Sequence, residues 1–212
     1  MFRYLPRPMP GDRVLDVGCG NGDFLEAARD AGWTAVGLEP DPAAAALCRV
    51  RGLDVRVGSL ETLGAEATGF RAITLNHVIE HLHAPREALA RVFSLLQPGG
   101  MLYLDTPNAD SRGAARFGRH WRGLEPPRHL VLFTPASLQA LLAQLGFIDI
   151  QVKRRPAVAR GIYASSAAIA AGDARQPVRL PLATRLALAL RPTPTRRLEF
   201  ITLTARKPPA AA

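Results

Sequence analysis

A glycine-rich turn near the start of the chain constrains the fold more than any other feature of the sequence. Residues 14–17 form a short apolar run, and Gly18, Gly20 and Gly22 follow at alternate positions. Apolar side chains then recur from Asp23 at helical spacing, and Gly32 stands where that helix would end. The pattern predicts a buried strand, a tight turn and a helix, which together make the first half of a nucleotide-binding α/β unit.

Two carboxylates near this turn indicate which ligand it can hold. Asp16 ends the first strand, and Glu39 follows a second apolar run, residues 35–38. The dinucleotide spacing G-x-G-x-x-G would require a glycine at Asp23. A carboxylate at Asp16 repels a pyrophosphate and attracts an ammonium or sulfonium group, and an acid at the place of Glu39 bonds ribose hydroxyls in such folds. The residues favour a ligand with a ribose and a positive end; a glycine turn without any ligand is the alternative.

Further apolar runs predict how the chain continues. Strands are predicted at residues 54–57, 70–75, 101–104, 147–152 and 198–204. Helices are predicted after the capping residues Asp41 and Thr134, and from Pro85. Strands that alternate with helices through short loops predict an α/β fold with a doubly wound, mostly parallel sheet, whose ligands bind outside the carboxyl ends of the strands.

Several of these segments resemble a known family. Residues 16–22 match Asp-x-Gly-x-Gly-x-Gly, the first motif of the class I S-adenosylmethionine-dependent methyltransferases. Residues 76–81, 97–100, 106–108 and 125–130 look most like the ubiquinone-biosynthesis O-methyltransferases and their relatives. The resemblance implies S-adenosylmethionine as the cofactor and methyl transfer to a small-molecule substrate at a hydroxyl oxygen. It also implies a Rossmann-like sheet of seven strands, with an antiparallel last strand between the fifth and sixth.

The resemblance further implies where the cofactor binds. Asp16 and the glycine turn would face the methionine ammonium, Glu39 the ribose, and Asn76 with His77 the sulfonium methyl. Ser59 stands where the family often has an aspartate that faces the adenine, and Glu61 follows two residues later. The predicted cofactor-binding residues are Asp16, Gly18, Cys19, Gly20, Gly22, Glu39, Pro40, Ser59, Leu60, Asn76 and His77.

His81 and His77 are the candidate catalytic residues, because a neutral imidazole can accept the proton of a hydroxyl as its oxygen attacks the methyl group. The alternative is that both only line the cavity or cap the next helix. In the ubiquinone enzymes this place carries Glu-x-x-Glu-His, which is associated with a divalent metal; here His77 replaces the first glutamate, so we predict no metal. The segment also matches the zinc-protease pattern H-x-x-E-H, but that pattern needs a long helix rather than a strand-to-helix loop.

Residues 109–133 are predicted to form a lid-like loop, because connections of this length are usually functional. The residues expected to bind the substrate are Glu80, Asn108, Trp121, Arg128 and His129. For Trp121, Arg128 and His129 the alternative is that they anchor the loop on the sheet.

The chain is predicted to be one methyltransferase domain over residues 1–212. Its parts are a cofactor-binding core at 11–155, a variable helical segment at 156–194 and a last strand at 198–205. Class I methyltransferases usually carry covering helices before the first strand, and this chain has only twelve residues there. A non-catalytic cofactor-binding module that needs a partner is therefore one alternative function.

The formal net charge of +9 lies mostly in the last third of the chain. Residues 1–150 hold 15 arginines and 16 acidic residues, whereas residues 151–212 hold 12 basic and two acidic ones. A nucleic-acid methyltransferase is the second alternative, but the exit of the fourth strand lacks an Asn/Asp-Pro-Pro-Phe/Tyr motif. Arginines among leucines at 179–197 could contact an anionic membrane, although a solvated basic helix is favoured. Cys19 and Cys48 have no disulfide or metal spacing, which predicts a cytoplasmic protein.

Overall fold

The computed structural model describes residues 4–64, 68–155, 159–172, 178–190 and 193–210. The strands are β1 Arg13–Val17, β2 Thr34–Glu39, β3 Asp54–Val57, β4 Phe70–Asn76, β5 Leu96–Pro107, β6 Ile148–Lys153 and β7 Phe200–Arg206. The helices are α1 Asp23–Asp30, α2 Pro42–Val50, α3 Pro85–Leu95, α4 Arg112–Phe117, α5 Pro135–Gln144, α6 Ala159–Ala170 and α7 Leu182–Leu190. Each predicted strand and helix is present, and β5 is longer at both ends than the apolar run indicated.

All seven strands belong to one sheet, in the order β3-β2-β1-β4-β5-β7-β6. The first five strands are mutually parallel, and β7 lies antiparallel between β5 and β6, as predicted. The winding of the chain reverses between β1 and β4, so a crevice opens beyond their carboxyl ends. The register places Asp16 beside Thr74 and Asn76 beside Asp105. Four polar side chains are thereby delivered to one edge of the sheet.

Local capping explains where two of the helices begin. The Asp41 carboxylate accepts a hydrogen bond from the Ala43 backbone N–H at 2.8 Å, and Pro42 occupies the first turn of α2. Thr134 and Ser137 form a reciprocal capping box at the start of α5. Leucines, isoleucines and valines of α3, α5 and the central strands form the main buried core.

The connection at 109–133 is more regular than the loop predicted from the sequence. It contains α4 and two single 3₁₀ turns, Gly118–His120 and Arg122–Leu124, and it packs against α6. Trp121 is 3% exposed within this layer. The segment is therefore packed and partly helical, and we call residues 109–133 the cover.

The C-terminal helices α6 and α7 agree with the helical character predicted for 156–194. Residues 156–158, 173–177 and 191–192 of that segment, including Arg191, lie outside the described residues. Leu182 and Leu186 on α7 are exposed. The solvated basic helix favoured for 179–197 stays a prediction, and membrane contact stays the alternative to it. Among the described helices, none combines the length and apolarity that crossing a bilayer requires.

Candidate active site

The carboxyl ends of β1 to β4 surround a cavity of about 520 Å³, which we call the cofactor cavity. Six residues predicted to bind cofactor line it, namely Gly18, Glu39, Pro40, Ser59, Leu60 and His77. The other five lie in the glycine turn or at the adjoining strand ends, and these are Asp16, Cys19, Gly20, Gly22 and Asn76. The cavity has the size of a typical small-ligand site.

The glycine turn is shaped by contacts that exclude larger residues. Gly18 has a φ of +66°, and a Cβ added there would lie 2.7 Å from Val78 Cγ2. A Cβ on Gly22, which has a φ of +80°, would lie 2.6 Å from Leu53 Cδ1. The Gly18 N–H donates to the Leu38 carbonyl at 2.7 Å, which ties the turn to the end of β2. Packing against Val78 and Leu53 therefore favours glycine at both positions, and Gly18 is the glycine of this turn that lines the cavity.

Glu39 connects the turn to the loop after β2. Its carboxylate accepts hydrogen bonds from the Gly20 N–H at 2.8 Å and from the Asp41 N–H at 3.0 Å. The residue is buried but lines the cavity. Each carboxylate oxygen can accept a further hydrogen bond, so the same group can also bind hydroxyls of a ligand.

Asp16 is buried at the carboxyl end of β1, with 4% of its surface exposed. The Thr74 hydroxyl donates to its Oδ1 at 2.5 Å. Burial raises the pKa of Asp16 to about 7, and the nearby charge of Glu39 adds to the rise, while the Thr74 hydrogen bond opposes it. A cation bound beside this carboxyl group would stabilise its ionised form.

Two further predicted residues contribute in different ways. Cys19 is buried, and burial together with the negative charge of Asp16 raises the pKa of its thiol to about 12, so the thiol stays protonated. Its carbonyl accepts a hydrogen bond from the Gly22 N–H at 3.0 Å, so Cys19 contributes to the turn through its backbone.

Asn76 Oδ1 is buried and has no hydrogen-bond partner within the described part of the chain. An unsatisfied buried acceptor of this kind fits a ligand that brings N–H or O–H donors.

The loop after β3 forms the opposite side of the cavity. Ser59 and Leu60 line it together with Glu61. The Ser59 hydroxyl donates a short hydrogen bond to the Glu61 carboxylate, and this bond lowers the pKa of Glu61. The sequence left open whether Ser59 or Glu61 faces the adenine. Because the two side chains are hydrogen-bonded to each other, an adenine can contact both.

His77 stands where the cofactor cavity meets a second cavity of about 320 Å³, which we call the acceptor cavity. Its φ is +57°, unusual for a residue with a side chain, and its N–H donates to the Asp105 carbonyl at 2.9 Å. His77 Nδ1 lies 3.2 Å from Glu80 Oε1, and the Thr106 hydroxyl donates to Glu80 Oε2 at 2.9 Å. The imidazole is thus held by a fully buried carboxylate.

The His77–Glu80 pair shows opposed pKa shifts. Burial disfavours the charged imidazole, but the hydrogen bond to Glu80 and the negative charge of Asp105 outweigh burial and raise the pKa of His77. Burial works against the Glu80 carboxylate as well, but the hydrogen bonds from His77 and Thr106 outweigh it and lower the pKa of Glu80. Glu80 is therefore an anion that holds His77 with Nδ1–H directed at it, leaving Nε2 as the basic nitrogen.

His81 is held differently. Its Nδ1 lies 2.8 Å from the carbonyl oxygen of Arg128, and its ring centroid is 4.9 Å from that of His129. The backbone carbonyl of Glu80 accepts hydrogen bonds from Leu130 and Val131, so this segment is tied to the end of the cover. His81 and Arg128 line both the cofactor cavity and the acceptor cavity, and His129 lines the acceptor cavity.

The divalent metal implied by the resemblance can be tested against these side chains. Glu80, His81 and His129 offer ligand atoms that all lie within 4.8 Å of one another. His81 and His129 each direct Nδ1 to a backbone carbonyl, of Arg128 and of Gly123, both at 2.8 Å. This arrangement leaves both Nε2 atoms as lone-pair donors, which is the usual orientation of metal-binding histidines. The three side chains are close enough to share one divalent ion, but both oxygens of Glu80 already accept hydrogen bonds, from His77 and from Thr106. The absence of a metal stays a prediction, and His129 was not foreseen in this cluster because it is 48 positions from His81.

Two predicted substrate residues lie in packed positions instead. The Trp121 indole N–H donates to Glu199 Oε2 at 3.2 Å. The Asn108 amide donates to the carbonyls of Arg196 and Leu198 at 2.9 and 2.8 Å, and the residue is fully buried. These contacts favour the anchoring alternative for Trp121 and join the end of β5 to the approach of β7.

Four residues of the site were given no role from the sequence: Thr106, Arg122, Glu125 and Phe200. Thr106 and Glu125 do lie in segments that carry the family resemblance. Phe200 packs edge-on against His77 with ring centroids 4.9 Å apart. Thr106 also follows the strand predicted at 101–104, whereas Phe200 lies within the strand predicted at 198–204.

The family of the chain follows from comparison with known proteins. Residues 2–152 match the family described as a methyltransferase domain, so the chain belongs to the methyltransferase family. The sheet order with its inserted antiparallel strand defines the class I, S-adenosylmethionine-dependent fold. The cofactor predicted from the sequence is the one that this class uses.

Among curated relatives, the chain is similar to ubiquinone biosynthesis O-methyltransferases. It is 39% identical over 107 residues to that protein of Xanthomonas campestris pv. campestris (strain B100), covering 47% of this chain and 45% of the relative. It is 30% identical over 148 residues to that of Methylocella silvestris, covering 60% and 58%. The chain thus spans about half the length of the curated relatives it matches. A crystal structure of a SAM dependent methyltransferase from Archaeoglobus fulgidus has the same fold, with a TM-score of 0.64, 19% identity and coverage of 97% and 90%.

Proposed function

We propose that the protein transfers the methyl group of S-adenosylmethionine to a hydroxyl oxygen of a small molecule. The observation that carries this proposal is the position of His77, at the common wall of the cofactor cavity and the acceptor cavity. A methyl group presented from one cavity would meet an acceptor oxygen in the other beside this imidazole. The names of the curated relatives support oxygen as the acceptor atom.

The cofactor would lie across the ends of β1 to β4. Its ribose hydroxyls would bind Glu39, and its adenine would lie against Leu60 near Ser59 and Glu61. The methionine ammonium would pair with Asp16 and donate to Asn76 Oδ1, the buried acceptor without a partner among the described residues. One ligand would thereby ionise Asp16 and satisfy Asn76, which supports this orientation.

His77 would act as the general base, with Glu80 as its positioning residue. In an in-line displacement the acceptor oxygen forms its bond to the methyl carbon while the bond from that carbon to sulfur breaks. The hydroxyl proton passes to His77 Nε2, and Glu80 stabilises the resulting imidazolium. His81 is the less favoured base, because the partner of its Nδ1 is a neutral backbone carbonyl, which stabilises an imidazolium less than the Glu80 carboxylate does. Placement of the two reactants contributes as well, since both are bound.

The proposal is tested by titration calorimetry with S-adenosylhomocysteine, followed by a methyl-transfer assay with catechol. We expect a dissociation constant on the order of 10 µM and a weakening of about tenfold in Asp16→Ala. Failure of the folded protein to bind S-adenosylhomocysteine would refute the proposal. Binding without transfer to catechol, together with strongly salt-dependent binding of RNA or DNA, would favour the nucleic-acid alternative.

The expected location remains the cytoplasm. Cys19 and Cys48 are both free and buried thiols, as in a protein kept under reducing conditions. A small-molecule acceptor also suits the acceptor cavity, whose volume of about 320 Å³ fits a single substituted ring.

A further inference from the structure

A third cavity, of about 290 Å³, lies beside α6 and the start of α7. We call it the arginine cavity, because it is lined by Arg160, Ala164, Arg179, Leu180 and Arg185. It shares no lining residue with the cofactor cavity or the acceptor cavity, and both of those have carboxylates among their lining residues. The described residues that line the arginine cavity include three guanidinium groups and no acid, so its wall is strongly positive.

The protein around the arginine cavity does not balance this charge. Within the described ranges none of its three arginines forms an ion pair, whereas arginines elsewhere on the surface, such as Arg51 and Arg122, pair with carboxylates. Between positions 151 and 198 the sequence has ten basic residues and one acidic residue, Asp173, which lies outside the described residues. A single carboxylate cannot neutralise three guanidinium groups, so a net positive charge remains at the cavity.

From this distribution of charge we propose that the arginine cavity binds a phosphate group. A guanidinium group presents planar N–H donors that match two oxygens of a phosphate, and it stays charged at every pH at which the protein is folded. A phosphate monoester carries a charge of about −1.5 to −2 at pH 7, so it neutralises more of the cavity than a carboxylate would. The volume is also sufficient for a phosphate or a diphosphate.

Helix α6 separates the arginine cavity from the acceptor cavity. Ile162 lines the acceptor cavity, while Arg160 and Ala164, two positions before and after it, line the arginine cavity. Residues two positions apart point to nearly opposite sides of an α-helix. A phosphate would therefore bind on the outer side of a helix whose inner side forms part of the acceptor cavity, and the site is separate from the proposed methyl transfer.

The phosphate group can belong to a soluble compound or to a lipid headgroup. Leu182 and Leu186, which follow the arginine cavity on α7, are 66% and 48% exposed. Exposed leucines beside arginines are the composition of a helix that lies on a lipid surface. A soluble phosphate would contact the arginines alone, so the two sources differ in whether these leucines take part.

Inorganic pyrophosphate, titrated into the protein in a calorimeter, is the soluble probe. We expect a dissociation constant on the order of 0.1 mM. Binding should be about tenfold weaker in Arg179→Gln and in Arg185→Gln, because each variant removes charge-assisted hydrogen bonds. Arg56→Gln is the matched control, since Arg56 is exposed on β3, at the opposite edge of the sheet from β6. Excess S-adenosylhomocysteine should leave the affinity for pyrophosphate unchanged.

Vesicles made of equal amounts of phosphatidylcholine and phosphatidic acid are the lipid probe, and a flotation assay measures their binding. Phosphatidylcholine vesicles are the control, because that headgroup carries no net charge. Arg179→Gln should reduce binding to the acidic vesicles by about tenfold. Leu182→Ser keeps all three arginines, so it should reduce vesicle binding only if the phosphate belongs to a lipid, and it should leave pyrophosphate binding unchanged.

Binding of either probe that falls in Arg179→Gln and persists in Arg56→Gln supports the phosphate site. Vesicle binding that also falls in Leu182→Ser identifies a lipid as the source of the phosphate, and binding of pyrophosphate alone identifies a soluble compound. The site is overturned if neither probe binds, if Arg56→Gln weakens binding as much as Arg179→Gln, or if S-adenosylhomocysteine displaces pyrophosphate. These results do not depend on methyl transfer, so failure of the proposed function is distinguished by S-adenosylhomocysteine not binding.

Discussion

Replacing Asp16 by asparagine should stabilise the free protein and weaken cofactor binding. Asparagine has the same shape, and its Oδ1 can still accept the hydrogen bond that the Thr74 hydroxyl donates at 2.5 Å. The substitution therefore removes a buried charge and little else. Active-site groups that destabilise the free protein in this way are a known cost of function.

The size of the effect follows from the pKa of Asp16, which burial raises from 3.8 to about 7. That difference corresponds to about 4 kcal/mol, since one pKa unit is worth about 1.4 kcal/mol. Because the folded protein holds the proton more tightly than the unfolded chain, the stabilising contribution is complete below pH 4. It is lost as the pH rises to 7 and beyond. The asparagine side chain does not titrate, so the variant should gain up to about 4 kcal/mol at pH 8 and almost nothing below pH 4.

Urea unfolding of Asp16→Asn and of the parent protein at pH 8 and pH 4.5 measures this effect, and the gain expected at pH 4.5 is about 1 kcal/mol. The same two proteins titrated with S-adenosylhomocysteine at pH 8 should show binding about tenfold weaker in the variant. Asp54→Asn, at an exposed position on β3, is the control for a carboxylate changed without burial. An equal gain at both pH values, or no gain at pH 8, would show that the charge of Asp16 is not what destabilises the free protein.

Three other changes test the rest of the site. His77→Gln should lower kcat by about 100-fold. Glu80→Gln should move the rise of kcat with pH to lower pH, because the pKa of His77 falls when the anion is removed. An unchanged pH profile in Glu80→Gln would contradict the role of His77 as general base. Gly18→Ala should cost about 2 kcal/mol in urea unfolding, and adding Val78→Ala should recover part of that loss, since the new methyl group would meet Val78 Cγ2 at 2.7 Å; a cost that Val78→Ala leaves unchanged would point to backbone strain alone. Cobalt(II) titrated into the protein should give visible absorption bands, and the affinity for cobalt should be about tenfold lower in His129→Ala. A protein that binds no cobalt would exclude Glu80, His81 and His129 as a metal site.

The strands and helices could be predicted from the sequence because the patterns that specify them are local. An apolar run between polar residues, a proline after Asp41 and a glycine at the end of a helix each specify the structure of a few neighbours. The position of β7 between β5 and β6 came only from the resemblance, since nothing in residues 198–204 states which strands they pair with. Their apolar alternation fits an edge strand equally well.

The contacts inside the site could be predicted less well from the sequence. The sequence offered both His81 and His77 as catalytic candidates, and it placed Trp121 and His129 together as substrate residues. The hydrogen-bond partners of these residues differ. His77 is bound to the Glu80 carboxylate, His81 to the backbone carbonyl of Arg128, and the Trp121 indole to the Glu199 carboxylate. Such partners depend on chain segments that are far apart in sequence.

The sequence by itself determined the class of fold and the shape of the cofactor turn, because glycine spacing and an acid at a strand end act over a few residues. Tertiary structure alone decided the charge states and the acceptor cavity. Burial sets the pKa of Asp16, and the cover brings Arg122 and Arg128 to the ends of β4 and β5. Desolvation and convergence of distant side chains are properties of the packed molecule, so no pattern of neighbouring residues could supply them.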